Sequence, residues 1–183
     1  MTRNEKYRAT QAKNRTYKTR RALRLIRKGQ PKTADEAKAL GITLIEVGKD
    51  EGAFRTAHRI HGTDLLIKFP LRYRRRSEET EGGPEVWGTK DGVNHTRMEV
   101  KKIRALEKFP LMRKHIPPVY YFHNRNGVMV TKYYPKTKWV GYAVGLLLGK
   151  MVTKYYGVVL GDLTPDNLRA VAYDRLVIID LGY

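Results

Sequence analysis

The chain has 183 residues, of which 41% are hydrophobic, and carries a formal net charge of +19 from 37 Lys+Arg and 18 Asp+Glu. That size and apolar content suit one domain or two small lobes that share a cleft, while the absence of cysteine excludes disulfides, thiolate metal sites and a cysteine nucleophile. The charge exceeds the few cations that a nucleotide pocket uses, so it predicts an anionic partner, with nucleic acid, a ribonucleoprotein or viral assembly, and an acidic protein as the candidates.

No segment of the sequence predicts a membrane location. The longest apolar stretch, 139–148, is about half the length that a membrane helix needs, and we expect it to form a buried helix instead. The basic N-terminus lacks the apolar core of a secretory signal. We expect a cytoplasmic protein, in the host cytoplasm or the virion if it is viral, with an organellar transit peptide as a minor alternative.

Residues 1–32 form a basic N-terminal arm. Residues 1–30 contain eleven Lys/Arg and one acid, Glu5, which is about half of the net charge. Apolar residues cluster in the second half of the arm: Ala22, Leu23, Leu25 and Ile26. This stripe predicts an amphipathic helix that ends at Gly29 and Pro31. Tyr7 and Tyr17 lie among the basic residues, so the arm can neutralise phosphates and stack on bases, although a solvated tail is an equal alternative.

The next segment contains a helix, a strand and a glycine-containing loop. Thr33 followed by Glu36 has the form of a capping box, which predicts a short helix that ends at Gly41. A strand is expected over 42–47. In the loop 48–57 that follows, Gly48 and Gly52 would let backbone amides approach an anion, although an ordinary hairpin turn has the same pattern.

The segment 64–69 alternates as a strand does. Leu65, Ile67 and Phe69 share one face, so Lys68 points to the opposite face. After this strand, 72–93 has the composition of an inserted loop, and a helix is expected from Thr96 to about Lys108. Glu99 lies on the apolar stripe of that helix and therefore needs a cationic partner, unless it sits at the edge of the stripe and is exposed.

Two hairpins complete the predicted elements. The first has strands at 119–122 and 128–133 and a turn at 124–127, and it is followed by Tyr133, Tyr134 and Pro135. A helix is expected over about 138–155, and then a short apolar strand over 157–160. The second hairpin joins 168–172 to 176–179.

Polar residues flank this last hairpin at defined spacing. Asp162 follows the predicted strand, Asn167 comes five residues later, and Asp180 follows the hairpin. An aspartate at such a place can orient an attacking hydroxyl, while an asparagine and a second aspartate can hold the divalent cations that neutralise ATP phosphates. An isolated Asp-x-x-x-x-Asn also occurs by chance, but the order strand, Asp, Asn, hairpin, Asp-x-Gly favours the chemical interpretation.

Over about residues 43–183 this pattern resembles the protein-kinase-like superfamily, whose catalytic loop reads Asp-x-x-x-x-Asn and whose metal loop reads Asp-Phe-Gly. The resemblance implies an α+β fold, with an N-lobe of antiparallel sheet plus helix over 33–134, including the inserted loop 72–93, and a truncated C-lobe over 135–183. The Leu160-Gly161-Asp162 form is closer to atypical, RIO-like and small-molecule kinases than to conventional ones.

The resemblance also implies roles for the candidate residues. Asp162 would position the acceptor hydroxyl, and Asn167 and Asp180 would hold Mg2+. Phosphate binding would fall to Lys68, paired with Glu99, and to the loop that contains Gly48 and Gly52. Backbone groups around three hinge residues would hold the adenine of ATP: Lys132, Tyr133 and Tyr134.

Two functions remain open from the sequence. The first is a minimal kinase-like phosphotransferase that uses Mg-ATP and transfers phosphate to a protein Ser or Thr hydroxyl, or to itself. The second is a weak or inactive kinase-like protein that serves as a basic nucleic-acid-binding or assembly component. The chain stops soon after Asp180, so we expect a partner, a second copy or the arm to replace the support that an activation segment provides.

Overall fold

The computed structural model describes residues 2–47, 54–71, 89–135, 141–160, 163–172 and 175–181. Within these ranges the predicted α+β class is confirmed, because helices pack around a five-stranded antiparallel sheet and a separate two-stranded hairpin. The helices are α1 (Arg3–Gly29), α2 (Ala34–Ala39), α3 (Thr89–Glu107) and α4 (Tyr142–Tyr156). The strands are β1 (Leu44–Glu46), β2 (Arg55–Ile60), β3 (Leu65–Pro70), β4 (Val119–His123), β5 (Val128–Lys132), β6 (Leu168–Ala172) and β7 (Arg175–Ile178).

The five-stranded sheet has the order β1-β2-β3-β5-β4, so β3 is its central strand. The predicted alternation of β3 is confirmed: Leu65, Ile67 and Phe69 are buried in one apolar cluster. Lys68 lies opposite Ala57 on β2 and Met129 on β5, on the other face of the sheet. At β3, one face of the sheet is therefore apolar and the other carries a charged side chain.

The first face is covered by the helices that precede the sheet. Ala22 and Ile26 of α1 and Ala37 of α2 are buried against β3 and β5. The helix α1 ends at Gly29 as predicted, with the next residue in a left-handed conformation. It is longer than predicted, however, because a capping box between Thr2 and Glu5 begins it near the start of the arm.

The helix α3 corrects the predicted extent of the inserted loop. It begins at Thr89 rather than Thr96, so residues 89–93 are helical, while 72–88 lie outside the described residues. The difference arises at Gly92, because the glycines of the segment 72–93 suggested a loop. A Cβ on Gly92 would lie 2.7 Å from the Phe54 carbonyl oxygen, so glycine lets this helix approach the start of β2.

A second apolar cluster lies beyond the sheet. Its members come from the end of α3, from the connection 109–118, from α4, from the β6-β7 hairpin and from the segments on either side of that hairpin: Ile103, Leu106, Met112, Ile116, Val152, Leu160, Leu163, Leu168, Ile178 and Leu181. His115 ties the hairpin to this cluster, because its Nδ1 lies 2.7 Å from the Leu176 carbonyl oxygen and its own carbonyl accepts from the Ile178 N–H.

The prediction of a fully buried helix over the apolar stretch was wrong for α4. One face of α4 packs against the second cluster through Gly145 and Val152. The other face is exposed although it is apolar: Val144, Leu147, Met151 and Tyr155. Composition cannot distinguish the two faces, because burial depends on which neighbours are present. Among the described residues, no helix combines the length and apolarity needed to cross a bilayer.

The predicted strand over 157–160 was also wrong. Gly157 caps α4 in the left-handed region, with φ of 65°, and the residues after it have no strand assignment. Val159 is 66% exposed, which shows that this side of the segment is not covered by a sheet. The apolar run at 157–160 is therefore a connection in which Leu160 alone is fully buried.

Candidate functional site

The ion pair predicted between β3 and α3 is present. Lys68 Nζ donates to Glu99 Oε1 at 2.9 Å, and Glu99 is completely buried in the middle of α3. Glu99 is therefore not the exposed residue of the alternative interpretation. A buried carboxylate is costly unless it is paired, so this contact accounts for a charge on the apolar side of the helix.

Lys68 also reaches the segment that follows β7. Its Nζ donates to the Ile179 carbonyl oxygen at 3.2 Å and lies 4.0 Å from Asp180 Oδ2. One lysine thus contacts both the helix glutamate and the backbone next to Asp180. Glu99 and Asp180 are brought together on the second face of the sheet, although 81 positions separate them in the numbering.

Arg55 joins Lys68, Glu99 and Asp180, although it was not among the predicted site residues. Its Nη1 donates to Glu99 Oε2, and its Nη2 donates to both carboxylate oxygens of Asp180, at 2.8 and 2.7 Å. We call Arg55, Lys68, Glu99 and Asp180 the polar cluster. Arg55 was placed in the glycine-containing loop, whereas it begins β2. Alternation along β2, which puts Arg55 and Ala57 on the face of Lys68, was the signal that could have found it.

Burial governs the electrostatics of the polar cluster. The side chains of Arg55 and Lys68 are each 7% exposed, whereas that of Asp180 is 32% exposed and marks the open side. Burial alone would lower the pKa of Arg55, but the carboxylates of Glu99 and Asp180 outweigh it and raise that pKa above its ordinary value. The guanidinium is therefore permanently charged.

Asn167 lies beside the polar cluster through its backbone. It ends the 3-10 turn Pro165–Asn167, and its carbonyl oxygen accepts from the Ile179 N–H at 2.9 Å. This bond holds the turn against the residue that precedes Asp180. Within the described ranges, no three His, Asp or Glu side chains form a metal-binding group of their own.

Three predicted site residues lie outside the described residues: Gly48, Gly52 and Asp162. The segment that follows Asp162 lies against α4. A Cβ added to Gly145 of α4 would collide with the Leu163 carbonyl group, and Gly149 lies under the Leu163 side chain. Glycines on α4 thus allow the chain to pass close to this helix directly after Asp162.

The predicted hinge lies at the end of β5. Lys132 is the last residue of that strand and lies opposite Leu65. The Tyr133 N–H donates to the Asp64 carbonyl oxygen at 2.7 Å, so this group is already used within the fold. Tyr134 is half-buried, and burial raises the pKa of its phenol. Lys132 lies about 10 Å along β5 from Met129, the residue opposite Lys68.

Comparisons with known proteins do not assign a family. No known protein family matches the chain, and no curated protein is significantly similar to it. Among solved structures, the chain is similar to the PpkA-294 apo form, a bacterial Ser/Thr kinase, with 18% identity and a TM-score of 0.46. The match covers 77% of this chain and 57% of that one, so the chain spans little more than half of the length of the protein it matches. A likeness this weak carries no argument about function.

Proposed function

We propose that the chain is a kinase-like phosphotransferase that binds Mg-ATP and transfers a phosphoryl group to a Ser or Thr hydroxyl of a protein, or to itself. The observation that carries this proposal is the position of Lys68, which contacts Glu99 on α3 and the backbone next to Asp180. A buried lysine held by a glutamate is oriented before a ligand arrives, which reduces the entropic cost of binding phosphate.

The donor atoms suit the proposed cofactor. Mg2+ prefers oxygen ligands, and the Asp180 carboxylate with the Asn167 side-chain amide would supply them at the more exposed end of the polar cluster. Mg2+ bound to ATP would neutralise phosphate charge during transfer. Lys68 would hold phosphate oxygens, and Asp162 would orient the acceptor hydroxyl and accept its proton. Backbone groups from Lys132 to Tyr134, other than the Tyr133 N–H that binds Asp64, would hold the adenine.

The test of this proposal is a binding and label-transfer experiment on the pure protein. Wild-type protein is incubated with Mg2+ and γ-labelled ATP, with and without candidate acceptor proteins, beside Asp162→Ala and Asp180→Ala. We expect ATP binding and label transfer by the wild type, and loss of transfer by both variants. Absence of ATP binding by the wild type would contradict the proposal. Equal transfer by wild type and variants would contradict the assigned residues.

A second candidate function is nucleic-acid binding through α1, and the position of this helix favours it. The helix is about 40 Å long, but Ala22 is the first of its described residues to be buried. Lys18 lies beside Gly62, in the turn between β2 and β3. Before that point, basic side chains surround an exposed helix, together with Tyr7 and Tyr17, which are 64% and 67% exposed.

Phosphate backbone is the partner that this surface suits best. Like charges at helical spacing repel, and one acid among eleven basic residues leaves that repulsion largely uncompensated until an anion binds. A membrane surface suits α1 less well, because its buried apolar residues, Ala22 and Ile26, already face the sheet. The major groove of B-DNA is about 12 Å wide and accepts one helix of this diameter.

Salt-dependent binding tests this second function. Labelled duplex DNA, duplex RNA and single strands are titrated with wild-type protein over a range of salt concentrations. A triple change in the exposed part of α1, Arg8→Gln, Lys13→Gln and Arg15→Gln, should lower the salt slope by about three units if each side chain meets one phosphate. The matched control changes Arg104, Lys108 and Arg113 to Gln near the end of α3. Absent or salt-independent binding would contradict this function, and equal losses in both triple variants would contradict the role of α1.

A further inference from the structure

Arg55 occupies the carboxylate that the proposed function assigns to the metal ion. Both oxygens of Asp180 accept from its Nη2, at 2.8 and 2.7 Å. Hydrogen bonds between a guanidinium and a carboxylate are among the strongest that side chains make. A cation that binds Asp180 therefore competes with Arg55 for the same two oxygens.

The charge of the polar cluster opposes a cation that arrives alone. Its four side chains carry two positive and two negative charges. The neighbouring His95 is neutral near pH 7, because burial first and the Arg55 charge second lower its pKa to about 4. A divalent cation without phosphate would add two uncompensated positive charges to a mostly buried site, whereas a cation that arrives with a polyphosphate brings the opposite charge with it.

The geometry of Arg55 allows one part of its side chain to change partner while the other part stays. Nη1 binds the fully buried Glu99, and Nη2 binds the more exposed Asp180. The backbone is held against β3, since Arg55 pairs with Pro70 and the Phe54 carbonyl accepts from the Leu71 N–H at 2.8 Å. Arg55 also lies on the same face of the sheet as Lys68, to which the proposed function assigns phosphate binding, and both side chains bind Glu99. A rotation about the last side-chain bonds would turn Nη2 from Asp180 towards a phosphate held by Lys68.

We propose that Arg55 is a phosphate-binding residue that makes cation binding at Asp180 depend on a nucleoside polyphosphate. Without ligand its guanidinium substitutes for the cation at Asp180. When polyphosphate and cation arrive together, Nη2 transfers to a phosphate oxygen and Asp180 is released to the cation. This inference rests on the proposed function, because it assumes that the ligand is a nucleotide with a divalent cation.

Two binding measurements test the exchange without an activity assay. Mn2+ serves as the probe of the cation site, because carboxylate and amide oxygens suit it as they suit Mg2+, and free Mn2+ is counted by its spin-resonance signal. Titration calorimetry in the presence of EDTA measures the affinity of the protein for metal-free ATP. We expect Arg55→Met to bind Mn2+ alone at least about tenfold more tightly than the wild type, and metal-free ATP about tenfold more weakly, each from the loss of one charge-assisted contact.

The controls separate this exchange from a general effect. Adding Asp180→Asn to Arg55→Met should remove the gain in Mn2+ affinity, and Arg97→Met, which changes an exposed arginine of α3, should alter neither affinity. Arg55→Lys keeps a positive charge beside Glu99. This variant replaces Arg55→Met in the test if circular dichroism shows that Arg55→Met does not fold.

Unchanged or weaker Mn2+ binding by the Arg55 variant would overturn the inference. Failure of the proposed function looks different, because the wild type would then bind no ATP with or without metal. The comparison of Mn2+ alone needs no nucleotide, so it would still decide whether Arg55 competes for Asp180.

Discussion

The two faces of the five-stranded sheet bury side chains of opposite chemistry. The first face carries Leu65 and Ile67, which pack with Ile26 of α1 in an apolar cluster. The second face carries Lys68 and Arg55, which bind the carboxylates of Glu99 and Asp180. The side chains named on β2 and β3 are less than 10% exposed on both faces.

The two faces should contribute differently to stability and to the proposed ligand binding. Burial of apolar area on the first face lowers the free energy of the folded state without any directional requirement. Paired charges on the second face contribute little net stability, because desolvation offsets much of their attraction. Changes on the first face should therefore alter folding, and changes on the second face should alter ligand binding.

Ile67→Ala should have the largest effect on stability. Ile67 is fully buried at the centre of β3, and truncation removes apolar burial and leaves a cavity. We expect a loss of about 2 to 5 kcal/mol in the free energy of unfolding, measured by urea denaturation. The matched control is Ile45→Ala on β1, where the side chain is 44% exposed and the loss should be much smaller. Equal losses at the two positions would contradict the assignment of the core to this face.

Lys68→Met should affect ligand binding more than folding. Glu99 keeps Arg55 as its partner in this variant, so no buried carboxylate is left unpaired. We expect the Kd for ATP to rise about tenfold or more, as loss of a charge-assisted contact predicts, while the denaturation midpoint changes little. Lys101→Met, at an exposed position of α3, is the control. An unchanged Kd for ATP would show that Lys68 is a purely structural residue.

Gly145→Ala should lower the free energy of unfolding by an intermediate amount, through the second apolar cluster. The new methyl group collides with the Leu163 carbonyl, so either α4 or the segment after Asp162 must move. We expect a loss of about 1 kcal/mol in stability, because overpacking outweighs the helix propensity that alanine adds. Gly149→Ala is the milder comparison, since its Cβ would lie 3.1 Å from the flexible end of the Leu163 side chain. A larger loss at Gly149 than at Gly145 would contradict the close approach.

His95→Gln should have the smallest effect, which is on the dependence of stability on pH. Burial lowers its pKa from 6.5 to about 4, so below pH 6.5 the unfolded chain binds a proton that the folded chain refuses. The contribution of His95 to stability is thus complete above pH 6.5 and declines as the pH falls from 6.5 to about 4. We expect His95→Gln to flatten the dependence of the denaturation midpoint on pH over that range, and an unchanged slope would contradict the lowered pKa of His95.

Local patterns predicted most of the fold. The alternation in β3, the cap at Thr33 and the turn before Gly127 are all present, because each depends on residues that are close in sequence. The contact between Lys68 and Glu99 was also predicted, from a carboxylate on an apolar helix stripe and from the resemblance to kinase-like proteins. Its role in binding phosphate stays a prediction, as do the roles of Asn167, Asp180 and the hinge residues.

The errors arose where burial depends on distant partners. Apolar composition predicted that α4 is buried, but one side of it faces Leu163 while Leu147 on the other side is 62% exposed. The run 157–160 has the composition of a strand but lies beside no pairing partner in the described part of the chain. Gly92 suggested a loop, whereas the approach of Phe54 requires glycine inside α3.

The sequence by itself determined most of the elements, the basic character of the arm and the face of the sheet on which Lys68 lies, because helical and strand periodicities and charge are local properties. Only the tertiary structure decided that Arg55 belongs to the polar cluster. Its second partner, Asp180, is 125 residues away, and the hydrogen bonds between them depend on how β2 and the end of β7 come together. No periodicity within either segment encodes that meeting, since it is set by the packing of the elements between them.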